Sequence, residues 1–465
     1  MEKFRDVLFA ITIAVFGCFC LGEDAVMPSL STQHDTPQNL PLLDGNSTLA
    51  DYINYAALNN PALEASFNEW KADAELAPQE KSLDDPEFEY SYYIDRMDTR
   101  QSAGIWQSLP WFGKLGLKGQ IADQKATASA QKYEAAKLAL FYEVSEAYYE
   151  YFYLGQAIST TTENISLLRR IENVSVAKYK VSQSSQPDLI RIQVEILRLE
   201  DSLAELNDLK TTHIARLNSA LNRPVEAELA VPRTIDIHDI KMPDSQIIAI
   251  AQTANPQLKS LDSDIEGGRQ SIELAKKMYY PDFKLGISIE DSVTESSMDD
   301  DKDPVMASVA ITIPLWQGKY SAGVREARNR YFAATNTKFD AANTLNSQLK
   351  TALYKYRDAG RKIELYGSSL LPKARQSLNV TEADFRAAKA DFTSFIDAQR
   401  ILLEFSLSYC RALADKAIAA AQIEMLTGGA VPLETAKSSE LLFNDANSSD
   451  NSGSNIESEE SGNEK

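Results

Sequence analysis

Apolar residues recur along this chain at two different periods, and the change of period divides it. From 283 to 290, FKLGISIE places Phe283, Leu285, Ile287 and Ile289 on one face and Lys284, Gly286, Ser288 and Glu290 on the other. The segment 305–315, VMASVAITIPL, sets Val305, Ala307, Val309, Ile311 and Ile313 against Ser308, Ala310 and Thr312. A period of two predicts strands with one dry and one wet face. Two earlier strands are expected at about 87–95 and 101–109, where Phe88, Tyr90, Tyr92 and Ile94 share a face. Each run is near the roughly 9–11 residues of a tilted membrane-spanning strand, although a soluble hairpin alternates in the same way.

After each strand pair the period lengthens. From Leu115 to about Ser182 there is no proline and little glycine. That predicts one helix of roughly 65–70 residues, about 100 Å long at 1.5 Å per residue. Leu140, Val144, Ala147, Tyr151, Leu154, Ile158, Thr161, Ile165 and Leu168 alternate spacings of four and three. Leu345, Leu349, Ala352, Tyr356, Ala359, Ile363, Tyr366 and Leu370 repeat the rhythm. A sustained heptad specifies coiled-coil packing.

The order of elements occurs twice. ALNNPALEASFNEW at 57–70 matches QTANPQLKSLDSDI at 252–265, and Pro86-Glu87-Phe88 matches Pro281-Asp282-Phe283, at an offset of about 195 residues. SLPWFGKLGLKGQ at 108–120 matches TIPLWQGKYSAGV at 312–324, the extra offset being taken up by the longer turn DSVTESSMDDDKD at 291–303. The chain therefore reads as a first repeat at 49–230 (strands about 87–109, long helices about 115–222) and a second at 244–429 (strands about 282–315, long helices about 319–426). A linker at 231–243 joins them. Residues 1–22 read as a signal peptide, with Lys3 and Arg5 ahead of the apolar run Val7–Leu21, and 23–48 as an extended segment. Residues 430–465 read as an acidic disordered tail.

Composition removes several function classes. A net charge of −20 over 465 residues argues against a nucleic-acid partner, whose phosphates demand a Lys/Arg surplus. Three cysteines make no disulfide framework. Val15-Phe16-Gly17-Cys18 loosely resembles a lipobox, so Cys18 is either acylated or removed with the leader. No Walker loop, G-x-G-x-x-G, H-E-x-x-H or C-x-x-C is present, and no enzyme, cofactor or resident metal is expected. His34, His213 and His238 are scattered. Asp299, Asp300, Asp301 and Asp303 read as a solvated hairpin turn or as cation contacts at a mouth.

Neither two nor four amphipathic strands close a membrane barrel, and an open edge in lipid leaves unpaired N–H and C=O groups at several kcal/mol each. Several chains must contribute strands to one barrel, and each strand must then hand over to a helix. Pro110 and Pro314 end the ladders, and Gly113 and Gly318 supply backbone freedom for the redirected chain.

At these corners the sequence resembles the TolC-like outer-membrane efflux proteins of Gram-negative bacteria, over about Leu49–Gly429. The likeness also rests on SQPDLIRIQ at 185–193 and FTSFIDAQ at 392–399. It implies a mainly α protein with membrane β structure. Three chains would give four strands each to one barrel that continues into a periplasmic α-helical coiled-coil tunnel. In that fold, shorter helices such as 52–77 and 187–222 stack end to end beside each long one. SLPWFGKLGLKGQIADQ is most similar to the Czc/Cus-like heavy-metal branch, which implies a periplasmic adaptor and an inner-membrane proton-driven pump as partners. The function implied is an outer-membrane exit duct for heavy-metal cations or drugs. The alternatives are the exit duct of a type I secretion system and a periplasmic coiled-coil scaffold.

Asp188 and Asp397 lie at the turns between long helices, where three copies would place a ring of carboxylates. The resemblance puts Asp397 on an acidic gate position. Ser394 replaces the family's companion acid, and Ala390 replaces a latch arginine, with Arg386 and Lys389 nearby. Asp188 serves equally well as the N-cap of a helix beginning near Pro187.

Overall fold

The computed structural model describes residues 43–44, 47–94, 99–180, 185–232, 234–292, 304–387, 389, 391–432 and 434–436. The leader with Cys18, the acidic run 299–303, Ala390 and the sequence after 436 lie outside the described residues. Helices α1 (Leu49–Asn59), α2 (Pro61–Ala74) and α3 (Leu76–Lys81) precede strands β1 (Glu87–Tyr92) and β2 (Thr99–Leu109). Helix α4 (Lys114–Lys180), of 67 residues, and α5 (Gln186–Ala220) follow. After β3 (Ile237–Asp239) the order recurs as α6 (Asp244–Ala254), α7 (Pro256–Lys277), β4 (Phe283–Ser292), β5 (Val305–Ile311) and α8 (Gln317–Leu365). A π-helical turn at Tyr366–Leu370, α9 (Leu371–Arg386), α10 (Phe392–Leu426) and β6 (Glu434–Ala436) complete it. By their contacts the residues fall into two compact units.

Three expectations are corrected here. The helix expected at 52–77 is three helices: Pro61 lacks an N–H and drives Asn60 to φ −78°, ψ 118°, out of the helical region, and a second break falls at Glu75. Asn255 before Pro256 is driven out in the same way, at φ −58°, ψ 122°. The strand expected through 315 ends at Ile311, and the chain leaves the ladder by tight turns from the N–H of Leu315 to the Ile313 carbonyl and from Gln317 to the Leu315 carbonyl. The expected linker and tail are partly ordered: Ile237–Asp239 pairs antiparallel with Glu434–Ala436.

One unit holds residues 62–136 and 256–343, and with them the four-stranded sheet in the order β1-β2-β4-β5, antiparallel throughout. Register aligns the apolar positions. Phe88 pairs with Ile105, Ile105 with Ile287 and Ile287 with Ala307; Tyr90, Ala103, Ile289 and Val305 form the next row. Paired residues point the same way, so one face carries an apolar band and the other carries Glu87, Glu89, Ser102, Ser288, Glu290 and Ser308. Val305, Val309 and Ile287 on the band are exposed, and among the described residues the outer edges of β1 and β5 have no strand partner. On the polar face the Trp106 ring lies across Gly286, where a Cβ would come within 2.1 Å of it.

The other unit holds residues 39–61, 137–255 and the described part of 344–465. Leu140, Val144, Ala147, Tyr151, Leu154, Thr161, Ile165 and Leu168 are buried, as are Leu345, Leu349, Ala352, Tyr356 and Ala359. The Asn-Pro motif has the same task twice. The Asn60 amide donates to the Ala220 carbonyl and the Asn255 amide to the Leu426 carbonyl, each at 3.0 Å. Those carbonyls end α5 and α10, where no intrahelical donor is left. The Tyr151 hydroxyl donates to the Leu229 carbonyl at 2.8 Å and the Tyr356 hydroxyl to the His238 carbonyl at 2.9 Å, so the duplication extends to single hydrogen bonds. Among the described residues no helix is long and apolar enough to cross a membrane.

Candidate functional site

The first corner is built around a buried lysine. Lys114, 4% exposed, donates from Nζ to Asp282 Oδ1 at 2.8 Å and to the Tyr280 carbonyl at 3.2 Å. The Trp111 N–H donates to the same Asp282 oxygen at 2.7 Å. The Trp111 ring stacks on Tyr280 and Phe283 at centroid distances of 5.3 and 5.6 Å. Gly113 turns the chain at φ 81°, where an L side chain is strained, and Lys277 Nζ donates to the neighbouring Phe112 carbonyl at 3.2 Å. Pro110 stands directly after β2.

The second corner departs from that plan. Gly318 lies inside the first turn of α8 with no positive φ, and a Cβ there meets nothing within 4 Å, so it supplies no special freedom. The extra residue between Pro314 and Trp316 is absorbed by the two tight turns after Ile313 instead. Trp316 is 76% exposed. Lys319 lies 5.8 Å from the Tyr320 ring centroid and reaches no carboxylate among the described residues.

At the helix–helix turns the two repeats use the same cap with its parts exchanged. Ser185 is the N-cap of α5: its Oγ accepts from the Asp188 N–H at 3.4 Å and donates to Asp188 Oδ2 at 2.5 Å. Asp391 is the N-cap of α10, accepting from the Ser394 N–H at 3.2 Å and the Ser394 hydroxyl at 2.5 Å. Asp188 is therefore the third residue of its helix and not its cap, and it corresponds to Ser394, not to Asp397. The counterpart of Asp397 is Arg191, whose guanidinium donates to Thr393 Oγ1 at 2.9 Å. Asp397 is exposed and makes no hydrogen bond or ion pair among the described residues. Hydrogen bonds from the Ser394 hydroxyl and backbone hold the Asp391 carboxyl below the usual carboxylate range.

Sequence reasoning missed the ion pair beside these turns. Arg400 grips Glu195 with Nε at 3.0 Å and Nη2 at 2.5 Å, and those bonds hold the Glu195 carboxyl below its ordinary range despite burial. Phe385, Phe392 and Phe395 pack beside it, with centroids of the first two pairs at 5.8 Å, and Lys178 caps the Phe385 ring and carbonyl. The available signal was the repeat comparison, since the counterparts of Glu195 and Arg400 are Ile401 and Val194. A second pair, Arg411 on Glu150 at 2.7 and 2.8 Å, lies farther along α10 and joins it to α4. Burial pushes the Glu150 carboxyl up, and the Arg411 bonds outweigh it. Among the described residues no group of three or more His, Cys, Asp or Glu is placed to hold a metal ion.

Each repeat thus runs from one strand pair of an antiparallel, open-edged sheet into long helices. Residues 247–429, nearly the whole second repeat, match the model of the outer membrane efflux protein family. CzcC, the cobalt-zinc-cadmium resistance protein of Cupriavidus metallidurans, is 19% identical over 83% of this chain and 90% of its own length. Toxin and drug export protein A of Aggregatibacter actinomycetemcomitans is 24% identical over 39% of this chain and 40% of its own. Among solved structures, the open state of the MtrE outer membrane channel of Neisseria gonorrhoeae aligns with TM-score 0.69 and 17% identity, covering 82% of this chain and 88% of that one. The resemblance drawn from the corners and the match over the second repeat point to the same outer membrane efflux protein family.

Proposed function

We propose that the chain is one third of an outer-membrane exit duct. Three copies would close their sheets into a single barrel, and their helices would continue it as a periplasmic tunnel. A periplasmic adaptor and an inner-membrane proton-driven pump would deliver heavy-metal cations or drugs to it. The observation that supports this reading is the sheet: an exposed apolar band, a polar opposite face and two outer strands without partners among the described residues. In lipid those edges cost several kcal/mol per unpaired group, and strands from further copies remove that cost. The likeness to CzcC over most of both chains favours metal cations as cargo. The likeness to a toxin and drug export protein carries the second reading, a secretion duct.

The test is the purified, outer-membrane-targeted protein in a planar lipid film. Three-fold assemblies with steady ohmic current are expected, and a monomer that passes no current overturns the proposal. A deletion strain separates the cargoes: cobalt, zinc or cadmium sensitivity supports the first reading, and loss of an exported toxin with metal tolerance intact supports the second.

A further inference from the structure

We propose that the Trp316–Lys319 corner of one copy seats on Glu87 and Phe88 of the next, as Trp111–Lys114 seats on Asp282 and Phe283 within the chain. This rests on the channel reading and adds residues to it.

The two corners share one backbone hydrogen bond, although only the first turns at a positive φ. The Lys114 N–H donates to the Trp111 carbonyl at 3.0 Å, and the Lys319 N–H to the Trp316 carbonyl at 2.9 Å. Their surroundings differ completely. The first lysine is buried on a carboxylate and its tryptophan is stacked, while the second lysine meets no carboxylate among the described residues and its tryptophan stands in the open. The receiving site is also duplicated. Pro281-Asp282-Phe283 seats the first corner, and its counterpart Pro86-Glu87-Phe88 has an exposed phenylalanine. Glu87 meets Lys284 at 2.5 Å, yet its side chain remains mostly exposed, which leaves room for a second cation. The open strands agree: β2 lies on β4 within the chain, and the counterparts of those two are β5 and β1, the unpaired edges.

A separate place in the other unit gives the same answer. Inside the chain Glu195 of the first repeat meets Arg400 of the second. Exchanging the repeats turns that pair into Ile401 of one copy against Val194 of the next. Both are apolar and exposed, at 45% and 59%, where a helix surface facing only water would carry polar residues. An ion pair inside thus corresponds to an apolar pair outside, and each is matched to its own partner. One departure weakens the outer corner: the counterpart of Tyr280 is Asp85, so Trp316 finds one stacking ring where Trp111 finds two.

The test uses the full chain in its membrane. Lys319→Cys combined with Glu87→Cys, treated with a short bis-maleimide, gives covalent dimers and trimers on a denaturing gel; neither single variant does. The unsubstituted chain, whose Cys410 is buried, is the control. Val194→Cys with Ile401→Cys behaves likewise. Lys319→Glu lowers the assembled fraction severalfold on native gels, and adding Glu87→Lys restores most of it. An assembled, conducting protein whose cysteine pairs do not link, or whose double charge reversal is no better than either single, overturns this inference and leaves the duct reading standing. A monomer that conducts nothing overturns both.

Discussion

Replacing Arg400 by alanine tests whether the Arg400–Glu195 pair holds the two helical hairpins together at their turns. The Glu195 side chain is 5% exposed and would lose both of its hydrogen bonds, while that of Arg400 is 48% exposed. Breaking a fully buried pair costs about 3–5 kcal/mol. Water reaches the place Arg400 leaves, so the expected loss here is about 2–3 kcal/mol. At roughly 2–4 °C per kcal/mol for a unit of this size, the melting temperature falls by about 4–12 °C. Arg400→Lys keeps the charge but not the fork and loses about half as much, ~1 kcal/mol. The sign of the pH dependence follows from the depressed Glu195 carboxyl. Its stabilisation is complete above the unfolded carboxylate value, about pH 4.3, and fades as pH falls through the lower folded value. Circular-dichroism melts of the detergent-solubilised protein should therefore separate wild type from Arg400→Ala at neutral pH and converge toward about pH 3. Equal melting at neutral pH, or a gap that persists unchanged in acid, would refute the reasoning.

The two corner glycines should respond differently. Gly113→Ala forces a side chain onto φ 81° beside Lys277 and lowers thermal stability by about 1–2 kcal/mol, whereas Gly318→Ala is neutral or gains about 0.5 kcal/mol, both read by thermal melts. Gly286→Ala drives a methyl into the Trp106 ring and reduces the correctly inserted fraction, and adding Trp106→Ala recovers it, measured by protease protection in outer-membrane preparations. In a salt gradient across a planar film, Asp397→Asn shifts the reversal potential toward lower cation selectivity. Asp188→Asn does not, because the Asp188 carboxylate is engaged by Ser185.

Periodic features were readable because they report burial, and burial acts on every residue of a face. The strand alternation at 283–290 and 305–311 and the heptads through Tyr151 and Tyr356 came through for that reason. Features set by one or two residues did not. The Asn-Pro pairs were visible as helix starts, but their role in capping α5 and α10 depends on residues some 160–170 positions away. Gly113 and Gly318 occupy the same motif, and a single inserted residue decides which of them must turn the chain. Asp188 and Asp397 invited comparison because both are acidic, whereas the true counterparts, Asp188 with Ser394 and Asp391 with Ser185, have exchanged roles within one cap.

The same asymmetries would let copies with two similar halves join in one order. If the repeats were interchangeable, a first-repeat turn could pack as well on its own second repeat as on a neighbour's, and the ring would have no fixed sequence. In the proposed assembly the inner contact is an ion pair with Glu195 buried, and the outer contact is Val194 with Ile401. A wrong match sets Arg400 or Glu195 against an apolar side chain and leaves a charge unpaired, which costs more than either correct contact gains. Strand pairing alone would not supply this choice, because main-chain hydrogen bonds are the same whichever strands meet. In the proposed assembly the side chains that differ between the repeats therefore set the order in which copies join, and those that agree set the shape of each joint.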